Sequence, residues 1–133
     1  MSTFPWHTWS AGPFSVERKP GNAPGTVIIA FHGAFTLREA YSTSDPLALH
    51  KMMAIEPVPG EAPTVKSILD LTACPSMDSS GLGMVATYYI RCRKHGVKLI
   101  AAGLTPRVRE LFKLTKMDSV IPMAATVEEA ESR

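Results

Sequence analysis

The segment Asp78-Ser79-Ser80-Gly81-Leu82-Gly83 combines a carboxylate, two hydroxyl groups and two glycines at the predicted start of a helix. It follows closely on Leu69-Asp70-Leu71, which ends a predicted buried strand. Open α/β sheets place their functional groups where a strand ends and the next helix begins. Each glycine costs about 1 kcal/mol relative to alanine in a helix, but it allows the backbone to approach a neighbour closely. The composition and position of the segment therefore indicate a functional edge.

Two interpretations of this segment remain open at the level of the residues. In the first, a serine before the helix is only an N-cap, whose hydroxyl oxygen accepts a hydrogen bond from a backbone N–H of the first turn. In the second, a phosphoryl group on a serine faces unpaired N–H groups and the positive end of the helix dipole, so the domain carries about −1.5 to −2 added charge without unfolding. One unit charge about 5 Å from an acidic partner group costs roughly 3 kcal/mol at an effective dielectric near 20. A phosphoryl group here would therefore gate binding.

Composition limits the classes of function. The chain has 133 residues, 45% of them hydrophobic and 20% charged, which is typical of one globular domain. A net charge of +2 without a dense basic run argues against nucleic acid as a partner. Cys74 and Cys92 lie too far apart for a metal knuckle or a redox pair, so we predict reduced thiols in the core.

Catalysis has little support in the sequence. Ser79 as a nucleophile would need a base, and no spacing ties His32, His50 or His95 to it. The chain contains no G-x-S-x-G elbow, no phosphate-binding loop ending in Gly-Lys-Ser/Thr, and no histidine pair at metal-ligand spacing. We therefore predict a binding module with no catalytic residue, no cofactor and no metal. The longest apolar run is too short for a membrane span and no signal peptide is visible, which predicts a cytosolic protein.

The order of elements predicts an α/β fold. Residues 13–19 and 26–32 are predicted to form a hairpin across the Pro/Gly-rich turn 20–25. A short helix is predicted from Asp45-Pro46, and then strands and helices alternate, which requires parallel neighbouring strands. The predicted strands are 64–71, 97–102 and 119–121, and the predicted helices are 80–95, 106–115 and 127–132. We expect one domain, residues 13–133, with a mixed sheet and about four helices packed on it, preceded by an arm, residues 1–12, that contains Trp6 and Trp9.

Local sequence signals define the later helices. In helix 80–95 an apolar stripe is expected at five positions spaced i, i+3, i+4, i+7 and i+8: Leu82, Val85, Ala86, Tyr89 and Ile90. Gly96 is expected to end this helix in a left-handed conformation. Thr105-Pro106 is expected to begin the next helix, with Val108, Leu111 and Phe112 facing inward. A capping box is predicted between Thr126 and Glu129.

Three stretches of the sequence resemble the STAS domain of bacterial anti-sigma factor antagonists. They are Met77-Asp78-Ser79-Ser80-Gly81-Leu82-Gly83, then Gly96-Val97-Lys98-Leu99, and finally residues 104–112, Leu-Thr-Pro-Arg-Val-Arg-Glu-Leu-Phe. The resemblance implies a partner that is an anti-sigma factor serine kinase, which phosphorylates the serine after the aspartate, here Ser79. It also implies that a PP2C-type phosphatase reverses this step. Asp78, Ser80, Gly81 and Leu82 would line the same contact edge.

The chain departs from the family pattern at three places. Family members often carry an acidic residue shortly after the glycine that ends the second strand, whereas this chain has Gly33-Ala34-Phe35-Thr36, which puts Thr36 at the kinase-contacting position. Lys116-Met117 stands where a glycine commonly ends the helix, and the proline-rich loop 56–63 is longer than usual. These differences leave a second possibility open: a STAS scaffold that is not phosphorylated, in a sensory or lipid-transport complex.

Overall fold

The computed structural model describes residues 8–11, 14–36, 53, 55 and 62–133. Within them, six strands form one sheet in the order β1-β2-β3-β4-β5-β6. The strands are β1 (Thr8–Ala11), β2 (Phe14–Pro20), β3 (Thr26–His32), β4 (Lys66–Ala73), β5 (Lys98–Ala102) and β6 (Met123–Ala124). The α-helices are α1 (Ser79–Lys94), α2 (Pro106–Leu114) and α3 (Val127–Ser132), and a 3-10 helix spans Met117–Ser119.

The N-terminal half of the sheet is antiparallel. Strands β2 and β3 form the predicted hairpin, with Val16 opposite Phe31, and Gly25 in its turn has φ +82°. Strand β1 adds to the outer edge of β2 with Trp9 opposite Val16. No strand was predicted in residues 1–12, since pairing at a sheet edge depends on backbone hydrogen bonds and leaves little periodicity to detect.

The second half of the sheet is parallel, as the alternation of strands and helices predicted. Ile29 of β3 lies opposite Leu69 of β4, and β5 and β6 follow in parallel. The strand predicted at 119–121 is wrong, because Met117–Ser119 form a 3-10 helix and the last strand is Met123–Ala124. Lys116, at φ +65°, turns the chain at this point. Ile121 is fully buried although it is not in a strand, so its apolar character indicated burial rather than secondary structure.

Three of the predicted helices are present at nearly the predicted bounds, and the helix predicted from Asp45 lies outside the described residues. Gly96 follows α1 with φ +69°, as expected for the residue that ends a helix. At the start of α3, Thr126 Oγ1 accepts from Glu129 N at 3.1 Å. The Glu129 side chain accepts from Ala125 N at 2.5 Å, one residue before the N-cap, so the second bond of the predicted capping box is shifted by one residue.

The buried stripe of α1 differs from the predicted one. Its buried residues are Gly81, Val85, Tyr88 and Cys92, whereas Ile90 is 58% exposed and Leu82 and Tyr89 are only partly buried. The stripe is rotated because a glycine begins it and a tyrosine continues it. The predicted stripe counted Tyr89 rather than the adjacent Tyr88, and the sequence alone does not distinguish them, so only the packing of the helix against the sheet fixes this face.

The two faces of the sheet are covered unequally. Helices α1 and α2 cover the larger core, where the ring of Phe35 stacks on those of Phe14 and Phe31 with centroids 5.2 and 4.9 Å apart. On the opposite face α3 covers a smaller cluster built on Ile28, Ile68 and Ile100. No helix among the described residues is long and apolar enough to cross a membrane.

Candidate functional site

A short extension of the sheet forms the base of the site. Phe35, three residues beyond β3, makes a parallel bridge with Met77. Its N–H donates to the Ser76 carbonyl at 2.9 Å, and its own carbonyl accepts from Asp78 N at 3.3 Å. The segment that precedes α1 is therefore attached to the chain just before Thr36 by backbone hydrogen bonds on both sides of Phe35.

Gly81 packs directly against this extension. A Cβ atom at residue 81 would overlap the carbonyl oxygen of Phe35, and the ring of Phe35 is itself stacked in the core. Only glycine fits at this point without moving the backbone. At Gly83, by contrast, a Cβ atom would meet nothing within 4 Å. The prediction that both glycines allow close approach is confirmed for Gly81 and wrong for Gly83.

Asp78 caps helix α1. It has the extended backbone of an N-cap residue, φ −101° and ψ −173°, and its Oδ1 accepts from Gly81 N at 2.9 Å. The cap is therefore the aspartate and not either serine. Ser79 is the first helical residue and its side chain is exposed, while Ser80 and Leu82 are half-buried. The Ser79 hydroxyl stands at the amino end of the helix with no capping role.

Charges complement the dipole of α1 at both ends, through the N-cap carboxylate of Asp78 at the start and basic residues in the last turn. The last turn carries Arg91, Arg93 and Lys94, whose positive charges interact favourably with the negative end of the helix dipole. No acidic residue lies in the first turn, where Asp78, the N-cap, is the nearest carboxylate. An added anion near Ser79 would therefore meet the positive end of the dipole, although Asp78 beside it would oppose a second negative charge.

An open groove of about 740 Å³ lies beside this helix start. One wall comes from the segment just described, with Thr36, Met77 and Asp78. The other wall is α2, which contributes five residues: Pro106, Arg107, Glu110, Leu111 and Leu114. Leu114 is 72% exposed. The α2 wall was not predicted as part of the site, although the spacing 107, 110, 111, 114 marks one face of a helix.

Helix α2 is attached to the base of the site at its own start. Thr105, the N-cap residue, makes no side-chain cap and instead donates from Oγ1 to the Cys74 carbonyl at 3.1 Å. The Cys74 thiol donates to the Ser76 carbonyl at 3.3 Å, and burial raises the pKa of this thiol. The two helix starts are thus linked through residues 74–76, which fixes the width of the groove between them.

Side chains hold the second half of α1 in place. The hydroxyl groups of Tyr88 and Ser67 are hydrogen-bonded at 2.7 Å inside the core, and burial raises the pKa of Tyr88. Burial also raises the pKa of Cys92 to about 11. Both cysteines are free and buried, which confirms the prediction of core thiols.

The histidines considered as bases are dispersed. His32 lies 3.8 Å from the Glu17 carboxylate, and His95 is exposed at the C-cap of α1, the end opposite Ser79. His50 lies outside the described residues. In the part of the chain that the structure describes, no group of three or more His, Cys, Asp and Glu residues is arranged to hold a metal ion.

Comparison with solved structures places the fold among several related proteins. An anti-sigma factor antagonist from Mycobacterium paratuberculosis is 22% identical, with a TM-score of 0.65 over 93% of this chain and 97% of that chain. The Bacillus cell fate determinant SpoIIAA in its phosphorylated form is 23% identical, with a TM-score of 0.60 over 90% of this chain and 97% of that one. A sulfate transporter family protein from Wolinella succinogenes is 14% identical, with a TM-score of 0.61 over 80% of this chain and 81% of that chain.

At these identities the structural likeness shows the fold alone, and the sequence family gives the narrower assignment. The family model described as the STAS domain matches residues 23–130, which include both walls of the groove and all of α1. STAS domains generally act as binding modules. Because the match spans most of the 133 residues, this chain belongs to the STAS domain family.

Proposed function

We propose that this protein is an anti-sigma factor antagonist whose binding to a partner serine kinase is switched off by phosphorylation of Ser79. The observation that carries the proposal is the position of Ser79: it is exposed, it begins α1, and Asp78 rather than Ser79 caps the helix. A phosphoryl group can be added to this hydroxyl without removing any hydrogen bond that holds the helix. The contact edge comprises Asp78, Ser79, Ser80, Gly81, Leu82 and Thr36.

The physical basis of the switch is electrostatic. A phosphoserine adds about −1.5 to −2 charge at neutral pH, and the amino end of α1 accommodates it. The partner, in contrast, meets a surface whose charge has changed beside Asp78. Even half of the roughly 3 kcal/mol expected for one unit charge near an acidic group corresponds to about a tenfold loss of affinity. A PP2C-type phosphatase would restore binding.

The names of similar structures favour this proposal over a general binding role, whereas Thr36, in place of an acidic residue, weighs against it. The similar structures include proteins named as anti-sigma factor antagonists, and SpoIIAA of Bacillus exists in a phosphorylated form. Thr36 replaces the acidic residue that such proteins often carry, and it lines the same groove as Asp78. We infer that the kinase contact at this position is neutral in this protein.

The test is direct phosphorylation. The protein is incubated with ATP and the purified anti-sigma factor serine kinase of the same organism, and its intact mass is measured. We expect the mass of one phosphoryl group to be added to the wild type and to Ser80→Ala, but not to Ser79→Ala. Binding of Ser79→Asp to the kinase should be about tenfold weaker, with the fold unchanged. Unchanged mass of the wild type, or wild-type binding by Ser79→Asp, would overturn the proposal.

A second function is supported by the likeness to a sulfate transporter family protein. In that case the domain serves as a scaffold that is not phosphorylated, within a sensory or lipid-transport complex. The same experiment separates the two possibilities, because a scaffold gains no phosphoryl group under conditions in which a known substrate of the kinase is fully modified.

A further inference from the structure

The outward face of α1 carries no charged side chain before its last turn. From Ser79 to Ile90 the sequence contains no acidic or basic residue, although a helix face turned to water is normally charged or polar. The residues exposed over this stretch are Ser79, Gly83, Thr87 and Ile90, and Ile90 is 58% exposed. Their spacing of four, four and three residues places them in one stripe along the helix, which exposed Lys94 continues.

Gly83 has no packing role within one copy of the protein. A Cβ atom there would meet nothing within 4 Å, and the residue does not have a positive φ. Glycine nevertheless destabilises the interior of a helix relative to alanine, so a close approach from outside the domain would explain its presence. On the stripe, Gly83 forms a recess, and Ile90 forms a projection two turns further along. A recess and a projection on the same face are self-complementary when two copies of the helix pack antiparallel.

One register of such a pair satisfies the whole stripe. A two-fold axis that places Gly83 opposite Ile90 of the second copy also places Ser79 opposite Lys94 of that copy, because both pairs are centred between residues 86 and 87. By symmetry each contact occurs twice. The position proposed for phosphorylation therefore lies across from an exposed cation.

The charges at the two ends of α1 favour the antiparallel arrangement. The last turn carries three cations, Lys94 among them, whereas the N-cap residue at the start is Asp78. Antiparallel packing places the basic end of each copy beside Asp78 of the other, while parallel packing would place the cations of both copies together. On α2, across the groove from the helix start, Arg107 and Glu110 add one charge of each sign and leave this balance unchanged.

We propose that this chain forms a homodimer through the outward face of α1, with Ile90 of each copy in the recess at Gly83 of the other. One helix face is small for a protein interface, so the unmodified protein associates weakly and reversibly. A phosphoryl group on Ser79 faces Lys94 of the second copy, and phosphorylation therefore strengthens the dimer. This last step rests on the proposed function, whereas the dimer itself does not. In the dimer the Ser79 end of α1 is covered by another copy and is withdrawn from the kinase.

Variants with a matched control test this register. Gly83→Leu fills the recess with a residue that suits a helix. Lys94→Glu reverses the charge opposite Ser79, and Lys113→Glu makes the same change at an exposed residue of α2 that lies outside the stripe. Ser79→Asp adds a negative charge without any kinase, and Ser79→Lys combined with Lys94→Glu exchanges the two ends of the pair. All these positions are exposed, so the variants should fold, and circular dichroism checks that they do.

The experiment is sedimentation equilibrium of each full-length variant over a range of protein concentrations, at low and high salt. We expect the wild type to show a reversible monomer–dimer equilibrium, and Ser79→Asp to dimerise about fivefold more tightly at low salt with a smaller gain at high salt. Lys94→Glu should dimerise about tenfold more weakly, Lys113→Glu like the wild type, and the exchanged variant close to the wild type. Gly83→Leu should weaken the dimer about tenfold at both salt concentrations, because its side chain overlaps Ile90 of the second copy.

The outcomes separate the dimer from the phosphorylation switch. The dimer is wrong if the wild type and Ser79→Asp stay monomeric at every concentration, or if Gly83→Leu and Lys94→Glu dimerise like the wild type. If every variant is monomeric but Gly83→Leu binds the purified kinase more weakly, the face belongs to the kinase and the inference is also wrong. If Ser79→Asp dimerises no more tightly than the wild type, the coupling to phosphorylation is wrong. If the variants behave as expected but the kinase adds no phosphoryl group to Ser79, the dimer stands and the proposed function fails.

Discussion

The first turn of α1 is held to the domain by backbone contacts, whereas the second half of the helix is held by side chains. At the first turn, Gly81 lies under the carbonyl of Phe35, and Asp78 connects to Phe35 through its N–H. Further along, Tyr88 and Cys92 are buried, and Tyr88 is hydrogen-bonded to Ser67. Backbone attachment leaves the Ser79 side chain exposed, so a helix start can be rigid and still present a modifiable group.

The largest effect expected from this comparison is at Gly81. Gly81→Ala should lower the free energy of unfolding by about 3 kcal/mol, because the added methyl group meets the backbone of Phe35, which cannot move without disturbing the stacked rings. Urea unfolding followed by circular dichroism measures the change. Stability equal to that of the wild type would show that the first turn is not held at this point.

At the other end of the helix, Tyr88→Phe should cost about 2 kcal/mol, because the buried Ser67 hydroxyl loses its partner. The control is Tyr89→Phe, which removes a hydroxyl that only accepts a 3.4 Å bond from exposed Arg93. Thermal or urea unfolding of the two variants gives the comparison. Equal losses would mean that side-chain hydrogen bonding does not hold this half of α1.

Asp78→Ala should cost about 1 kcal/mol through the loss of the N-cap that accepts from Gly81 N. Ser79→Ala is the matched variant, since the neighbouring side chain is exposed and caps nothing. Its stability should stay within about 0.5 kcal/mol of the wild type. If Ser79→Ala lowered the free energy of unfolding more than Asp78→Ala, the serine would have a structural role. Capping the helix and carrying a phosphoryl group would then not belong to different residues.

The smallest effect, and one of opposite sign, is expected at Gly83. Gly83→Ala should stabilise the protein by about 0.5 to 1 kcal/mol, since alanine is the better helix former and the added methyl group meets nothing within 4 Å. Measured beside Gly81→Ala, the same substitution two residues apart would change stability in opposite directions. A loss at Gly83 would contradict the open space that the structure shows there.

Much of the sheet could be predicted because its signals are local. The hairpin follows from turn residues between apolar runs, and the parallel half follows from alternating strands and helices. Gly96 and the Thr126 cap were predicted from single residues whose conformational preferences are strong. The strand predicted at 119–121 was wrong, because apolar residues such as Ile121 can be buried in irregular backbone as well as in a strand.

The sequence by itself determined that a hydroxyl stands at a helix start after a strand, since an aspartate followed by two serines before an apolar run is a local pattern. Only the tertiary structure decided which residue caps the helix, which of two glycines is required, and that α2 forms the second wall of the groove. A close approach and a groove depend on atoms far apart in the chain, whereas the Asp78 cap joins residues only three apart and is decided by the residue at which the helix begins. Gly81 meets Phe35, and Asp78 shares a groove with Leu114, through a fold that no local pattern specifies.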